Sequence, residues 1–132
     1  MRLKLPILVL FSALVFQTQA IDFTVTNLYQ DTIEQTIDEE LWILTTLADT
    51  AGTYNNDLFI LSEGTLLLNG TYEGNIWGAG GQDVVVGGHC KRNVRLAGKN
   101  LRVDGVINGN TMIAAETVNT GTNAYLGGDV LI

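Results

Sequence analysis

The chain holds one cysteine, Cys90, one histidine, His89, and one proline, Pro6, in 132 residues. A lone cysteine excludes an intrachain disulfide framework. With no proline after position 6, every later residue keeps a backbone N–H to donate, which suits a stack of strands with unbroken ladders. Positive charge is also scarce: seven basic residues face fourteen acidic ones, a net charge of −7. Such a balance argues against nucleic acid as a partner and favours solubility.

What the chain does have is glycine, fifteen of them, and a phrase that returns. It reads Glu40-Leu41-Trp42-Ile43-Leu44, Asp57-Leu58-Phe59-Ile60-Leu61, Asn75-Ile76-Trp77-Gly78-Ala79, Asn93-Val94-Arg95-Leu96-Ala97, Asn110-Thr111-Met112-Ile113-Ala114 and Asp129-Val130-Leu131-Ile132, at spacings of 17, 18, 18, 17 and 19 residues. A unit this short cannot bury a core alone and must stack on its neighbours. Within a unit, apolar residues alternate in three short runs: Leu58/Ile60, Leu66/Leu68 and Tyr72, then Ile76/Gly78, Val84/Val86 and Cys90. Period-two alternation is the strand signal. The expectation is an all-β, single-stranded right-handed parallel β-helix, with coils of 17–19 residues and three strands per coil. Right-handed winding follows the handedness of parallel crossovers.

Turn residues punctuate each coil. Gly70, Gly88 and Gly105 precede the third strand, where positive φ is the expected need. Asp57, Asn75, Asn93, Asn110 and Asp129 share a corner, where they suit left-handed bends and can form a stacked hydrogen-bonded ladder. Each inward Leu, Ile or Val contributes about 1.5–3 kcal/mol on burial, so about three coils should be the smallest stable stack.

Three regions follow. Residues 1–20 have the layout of a secretory signal: Arg2 and Lys4, an apolar run from Ile7 to Phe16, and Thr18-Gln19-Ala20 at the cleavage position. The run is about half of what spans a bilayer; the alternative is an uncleaved anchor. Without these residues the net charge falls to −9, because they hold two of the seven basic residues and no acidic one. Residues 21–38 read as a degenerate N-terminal capping coil, with Phe23 and Val25 placed 18 before Leu41 and Ile43, and Ile37 placed 17 before Tyr54. A short helix over 30–40 competes for that stretch. Residues 39–132 are the β-helix proper, ending in an unfinished coil at Asp129–Ile132, which is either the start of missing chain or an edge where another subunit docks.

A Cys-His neighbour pair invites a nucleophile or a metal site. The repeat register opposes this: Cys90 falls in the inward column of Tyr54, Tyr72 and Ile107, and His89 therefore faces out. Alternation also turns Trp42, Phe59, Trp77, Arg95, Met112 and Leu131 outward in one column, with Leu67 and Val85 outward elsewhere. An outward row of aromatics either stiffens the sheet or meets something else, and Arg95 is one rung from Trp77, in cation–π range. The five basic residues after the signal, Lys91, Arg92, Arg95, Lys99 and Arg102, lie within twelve positions, and eleven of the fourteen acidic residues precede them. Such a band steers association or is merely solvated. Asn69-Gly70-Thr71 matches a glycosylation sequon.

The coil phrase, with Gly88, Gly105, Asn108-Gly109 and the stretch Gly121–Ile132, resembles the bactofilin group of polymer-forming bacterial proteins over about residues 39–132. The resemblance implies a right-handed parallel β-helix that joins end to end into filaments without nucleotide, serves as a scaffold, and carries no catalytic residues or cofactor. Members of the family are typically cytoplasmic, whereas this chain has an export signal; the expected location is the periplasm, cell envelope or exterior.

The leading expectation is an exported, self-associating scaffold and not an enzyme. Its contacts are placed at Leu131, Ile132, Phe23 and Val25, with itself as partner and cell-wall or membrane-associated components as further partners. One alternative is a polysaccharide-binding module using Trp42, Phe59 and Trp77. Another is a left-handed hexapeptide-type acyltransferase with His89 as base. A six-residue rule fails here, since stepping from Leu58 meets Gly64, Gly70, Ile76, Gln82 and Gly88.

Overall fold

Parallel pairing between successive coils organises the chain in the computed structural model, which describes residues 2–3 and 21–132. The expected signal over 1–20 lies outside the described residues except for Arg2–Leu3, a two-residue strand that pairs antiparallel with Ile21 and Asp22. The described residues include no helix. Residues 30–40, where a helix competed, instead carry a turn and the strand Thr36–Ile37.

The recurring phrase forms the first face of a β-solenoid. Leu41 pairs with Leu58, Leu58 with Ile76, Ile76 with Val94, Val94 with Thr111 and Thr111 with Val130, which is the register of the sequence repeat. The second face stacks Ala48, Leu66, Val84, Leu101 and Val118. The third is a six-stranded parallel sheet running Ile37, Tyr54, Tyr72, Cys90, Ile107 and Leu126. The faces are unequal: from Leu58 the inward positions step to Leu66, Tyr72 and Ile76. In coils beginning at Leu41, Val94 and Thr111 the first two faces form one continuous strand, as in Glu40–Thr50 and Val94–Val103. In the two 18-residue coils an extra residue near Gly64 and Gly81 breaks that strand in two.

Side chains on the inner faces fill the core. Leu58, Ile60, Leu66, Leu68, Ile76, Val84, Val86, Val103 and Ile107 are fully buried. Gly78 sits in an inward column between Ile60 and Leu96, and the side chains of Leu96 and Leu66 occupy the space a Cβ there would take. The buried polar residues are Asp31, Thr45, Thr50, Ser62 and Thr111. Thr111 continues the column of Leu41, Leu58, Ile76 and Val94, and its buried Oγ1 finds no hydrogen-bond partner.

The first coil is shifted from the expected register. Phe23 pairs with Trp42 and Val25 with Leu44, a step of 19 rather than 18. A one-residue slip exchanges the two faces of a strand, so Phe23 and Val25 face outward and Asp22 and Thr24 take the inward columns. The slip places Tyr29 against the core and lets Asp31 enter beneath Thr50. Asp31, buried, accepts hydrogen bonds from the backbone N–H groups of Ala51 and Gly52 and from the Tyr54 hydroxyl, which also reaches Tyr29.

The glycines serve approach rather than handedness. Among the described residues no glycine and no other residue has positive φ, contrary to the expectation for Gly70, Gly88 and Gly105 and for the Asx corner. Gly52, Gly70, Gly88 and Gly105 instead stack directly. A Cβ on Gly70 would overlap the carbonyl oxygen of Gly52, one on Gly88 that of Gly70, and one on Gly105 that of Gly88. The Asx corner does form a ladder, by side chain to main chain. Asp57 Oδ1 accepts from Asn75 N at 2.8 Å, Asn75 Oδ1 from Asn93 N at 3.2 Å, Asn93 Oδ1 from Asn110 N at 2.9 Å and Asn110 Oδ1 from Asp129 N at 3.0 Å.

Three substitutions test this account. Gly88→Ala must push two coils apart, and overpacking at fixed backbone typically costs about 1–3 kcal/mol or more. Gly64→Ala, whose Cβ would lie 3.1 Å from the movable Leu47 side chain and from Thr46 O, should cost clearly less. Thr111→Val removes a buried unpaired hydroxyl and should raise stability by about 1 kcal/mol. Urea midpoints of the three variants check both expectations.

Candidate functional site

The outer surface of the first face carries the most unusual side chains. Its first outward column runs Phe23, Trp42, Phe59, Trp77, Arg95, Met112 and Leu131, one residue per coil. Parallel in-register pairing places each ring directly over the next. Trp42 and Phe59 stack with ring centroids 4.1 Å apart and planes 14° from parallel, and Phe59 and Trp77 at 4.5 Å and 3°. Arg95 closes the stack, its guanidinium carbon 5.4 Å from the centre of a Trp77 ring. Trp42 Nε1 donates to Glu40 Oε1 at 2.7 Å, which orients the indole. Each stacked aromatic pair adds about 0.5–1.5 kcal/mol beyond area burial.

A second outward column lies two residues further along each strand: Val25, Leu44, Leu61, Ala79, Ala97 and Ala114. Its first three members are large and exposed, at 66%, 38% and 53%; the last three are alanine. The two columns bound a shallow trough of about 390 Å³ lined by both. Arg95 is the one charged residue among these positions.

This geometry bears on the polysaccharide reading. A sugar stacks on the open face of an aromatic ring. Here Phe59 is sandwiched between Trp42 and Trp77, and Arg95 lies over the other face of Trp77, so Phe59 and Trp77 offer solvent their edges. An apolar, edge-on surface suits another apolar surface better than a pyranose ring.

The other candidate positions separate cleanly. Cys90 is fully buried in the column of Tyr72 and Ile107. Burial pushes its thiol up from 9.0 to about 12, so it remains a thiol and not a nucleophilic thiolate. His89 points outward, half-buried, where Asn108 Nδ2 donates to its Nε2 at 2.9 Å. The Cys90-His89 pair is therefore split across the two surfaces of one strand. The basic residues form a belt around one coil rather than a patch. Lys91 pairs with Glu73 at 2.7 Å on one side, Arg95 lies on the aromatic column, and Arg102 holds Asp104 on another. Among the described residues no cluster of three or more His, Cys, Asp or Glu could hold a metal ion.

Sequence reasoning missed one constellation, the buried group of Asp31, Tyr54, Tyr29, Tyr72 and Thr50. Tyr54 and Tyr72 stack with centroids 5.3 Å apart. The Tyr72 hydroxyl lies 2.5 Å from Thr50 Oγ1 and accepts from Gly70 N at 3.0 Å. Desolvation raises both tyrosines well above the ordinary phenol range, reinforced at Tyr54 by its hydrogen bond to Asp31. The only signal for it was tyrosine in a column otherwise aliphatic. Compared with known proteins, the chain matches no protein family, no curated protein and no solved structure.

The buried acids set a direction for alkaline stability. Cys90, Tyr54 and Tyr72 all hold their protons more tightly folded than unfolded, so above its unfolded pKa each makes the unfolded chain the better proton donor. The contribution of Cys90 is complete below about pH 9 and is lost as the pH climbs towards about 12; that of the tyrosines begins to fall only above about pH 10. Urea midpoints should be level up to about pH 9 and fall beyond it. Cys90→Val should soften the first part of that fall and leave the tyrosine part.

Proposed function

We propose that this chain is an exported structural scaffold that self-associates through the ends of its β-helix, in the manner that its resemblance to polymer-forming bactofilins implies, and performs no catalysis. The observation that carries the reading is the in-register parallel stack, in which each coil offers the next the same three ladders. Val130–Leu131 pairs with Thr111 and Met112 on one side, and its other edge has no strand beside it among the described residues. Val130, Leu131 and Ile132 are exposed there, at 43%, 61% and 71%. A parallel edge with apolar side chains in register is a template for another strand, and continuing the stack costs one more spacing of about 4.8 Å.

The opposite end supports a different contribution. Among the described residues, the strand Ile21–Gln30 is paired on one side by Glu40–Thr50 and on the other by Arg2–Leu3 at its start. Its outward residues Phe23 and Val25 belong to the lateral face, so main-chain groups rather than those side chains would carry a contact at this end. Its inward positions are polar, with Asp31 buried beneath the core. Export rests on the basic start, short apolar run and Thr18-Gln19-Ala20; the periplasm or cell envelope is the location this reading assigns.

Electron microscopy and sedimentation of the purified chain test the proposal. Elongated assemblies are expected, and Leu131→Lys combined with Ile132→Lys should shorten or abolish them while leaving the circular dichroism of the solenoid unchanged. A chain that stays strictly monomeric at high concentration would sink the reading.

A further inference from the structure

We propose that the outer face built on Phe23–Met112 and Val25–Ala114 pairs with the same face of a second copy, the two solenoid axes running antiparallel. This contact is lateral and goes beyond association through the ends. The face is apolar across six consecutive rungs, with Arg95 its one charge. At about 4.8 Å per rung it is about 29 Å long.

Its two columns are graded, and the grading selects the partner's orientation. Two sheet faces can meet about a two-fold axis lying along the strands or along the solenoid axis. An axis along the strands, placed between the rungs of Phe59 and Trp77, keeps each column opposite its own copy and reverses the order of rungs. Leu61 then lies opposite Ala79, Leu44 opposite Ala97 and Val25 opposite Ala114. In the second column every large exposed side chain then meets an alanine, and the gap between the faces is even from rung to rung. An axis along the solenoid would set Trp42 against Leu44 and Phe59 against Leu61 at one end but Trp77 against Ala79 and Met112 against Ala114 at the other, so the faces would splay at the bulky end.

Charge agrees with size. In the antiparallel pair Arg95 of the second copy lies opposite Trp42, whose indole N–H holds the Glu40 carboxylate 2.7 Å away. A cation placed opposite a carboxylate in this way raises encounter rates and fixes register. The strip is narrower than the roughly 800 Å² per partner of a standard stable interface, so the pair is concentration-dependent and adds to contacts made elsewhere.

Disulfide mapping tests the geometry, since Cys90 is buried and does not compete. Leu61→Cys and Ala79→Cys proteins, mixed in equal amounts under mild oxidation, should give mixed disulfide in excess of the statistical two-to-one ratio over each homodimer. Leu44→Cys with Ala97→Cys should behave likewise, and Leu61→Cys with Ala114→Cys should not. A second measurement, sedimentation of Leu61→Glu, should show lateral association weakened at least tenfold with the urea midpoint little changed. Mixed disulfides at or below the statistical ratio for both matched pairs overturn the proposal. So does flotation of the wild-type chain with phosphatidylglycerol vesicles without those disulfides, which would assign the face to lipid, or retention on cell-wall glycan that Leu61→Glu removes. The two associations fail separately: loss of the lateral contact leaves single-width filaments, whereas loss of the end contact leaves discrete cross-linked pairs.

Discussion

Every feature of this molecule descends from the requirement that each coil lie one strand spacing from the next, in register. Parallel hydrogen bonds at about 4.8 Å fix that distance, and nothing between the coils can be thicker than it. Where main chain passes directly over main chain at the third corner, a Cβ does not fit, and the column Gly52, Gly70, Gly88 and Gly105 results. Where the corner is looser, an Asp or Asn side chain reaches up and accepts the next coil's N–H, four times in succession. The same spacing brings like side chains into contact, so planar rings stack and cations lie on rings. The aromatic column is a consequence of register before it is a device for anything else.

That constraint explains what the sequence disclosed. A column is a period, and a period of 17 to 19 residues can be read without coordinates. The inward place of Cys90, the outward place of His89 and the order Trp42, Phe59, Trp77, Arg95, Met112, Leu131 follow from counting alone. Counting failed where the copy was degraded. In the first coil two registers were nearly equivalent by hydrophobicity, and the choice between them lay with Tyr29 and Asp31, whose partners Tyr54, Ala51 and Gly52 are twenty or more residues away. The reason for the glycines was also hidden. Sequence shows that glycine recurs, but positive φ and close approach leave the same mark, and only the stacked carbonyls distinguish them. The buried carboxylate has no periodic signature at all, because it occurs once.

The two ends of the stack differ in kind. At the first coil the core closes on polar groups: a buried carboxylate satisfied by two backbone donors and a tyrosine, with stacked tyrosines above it. A polar plug that spends its hydrogen bonds inward gives an incoming coil little to pack on. At the far end the inward and outward columns continue with Val130, Leu131 and Ile132, all exposed.

The lateral face adds what the ends do not supply. Association through ends alone gives an assembly one solenoid wide; a wider one needs a second, independent contact. The apolar face supplies one at right angles to the axis, and its gradient from Leu61 to Ala79 prefers an antiparallel neighbour. Antiparallel neighbours run in opposite directions, so a pair joined through this face has no overall polarity. Two contacts too narrow to hold alone become strong when joined, because the second forms at the high effective concentration created by the first. The stacked rings suit such a use: their faces are occupied by one another, so the surface they present is flat and stiff, and it loses little side-chain entropy when a second copy covers it.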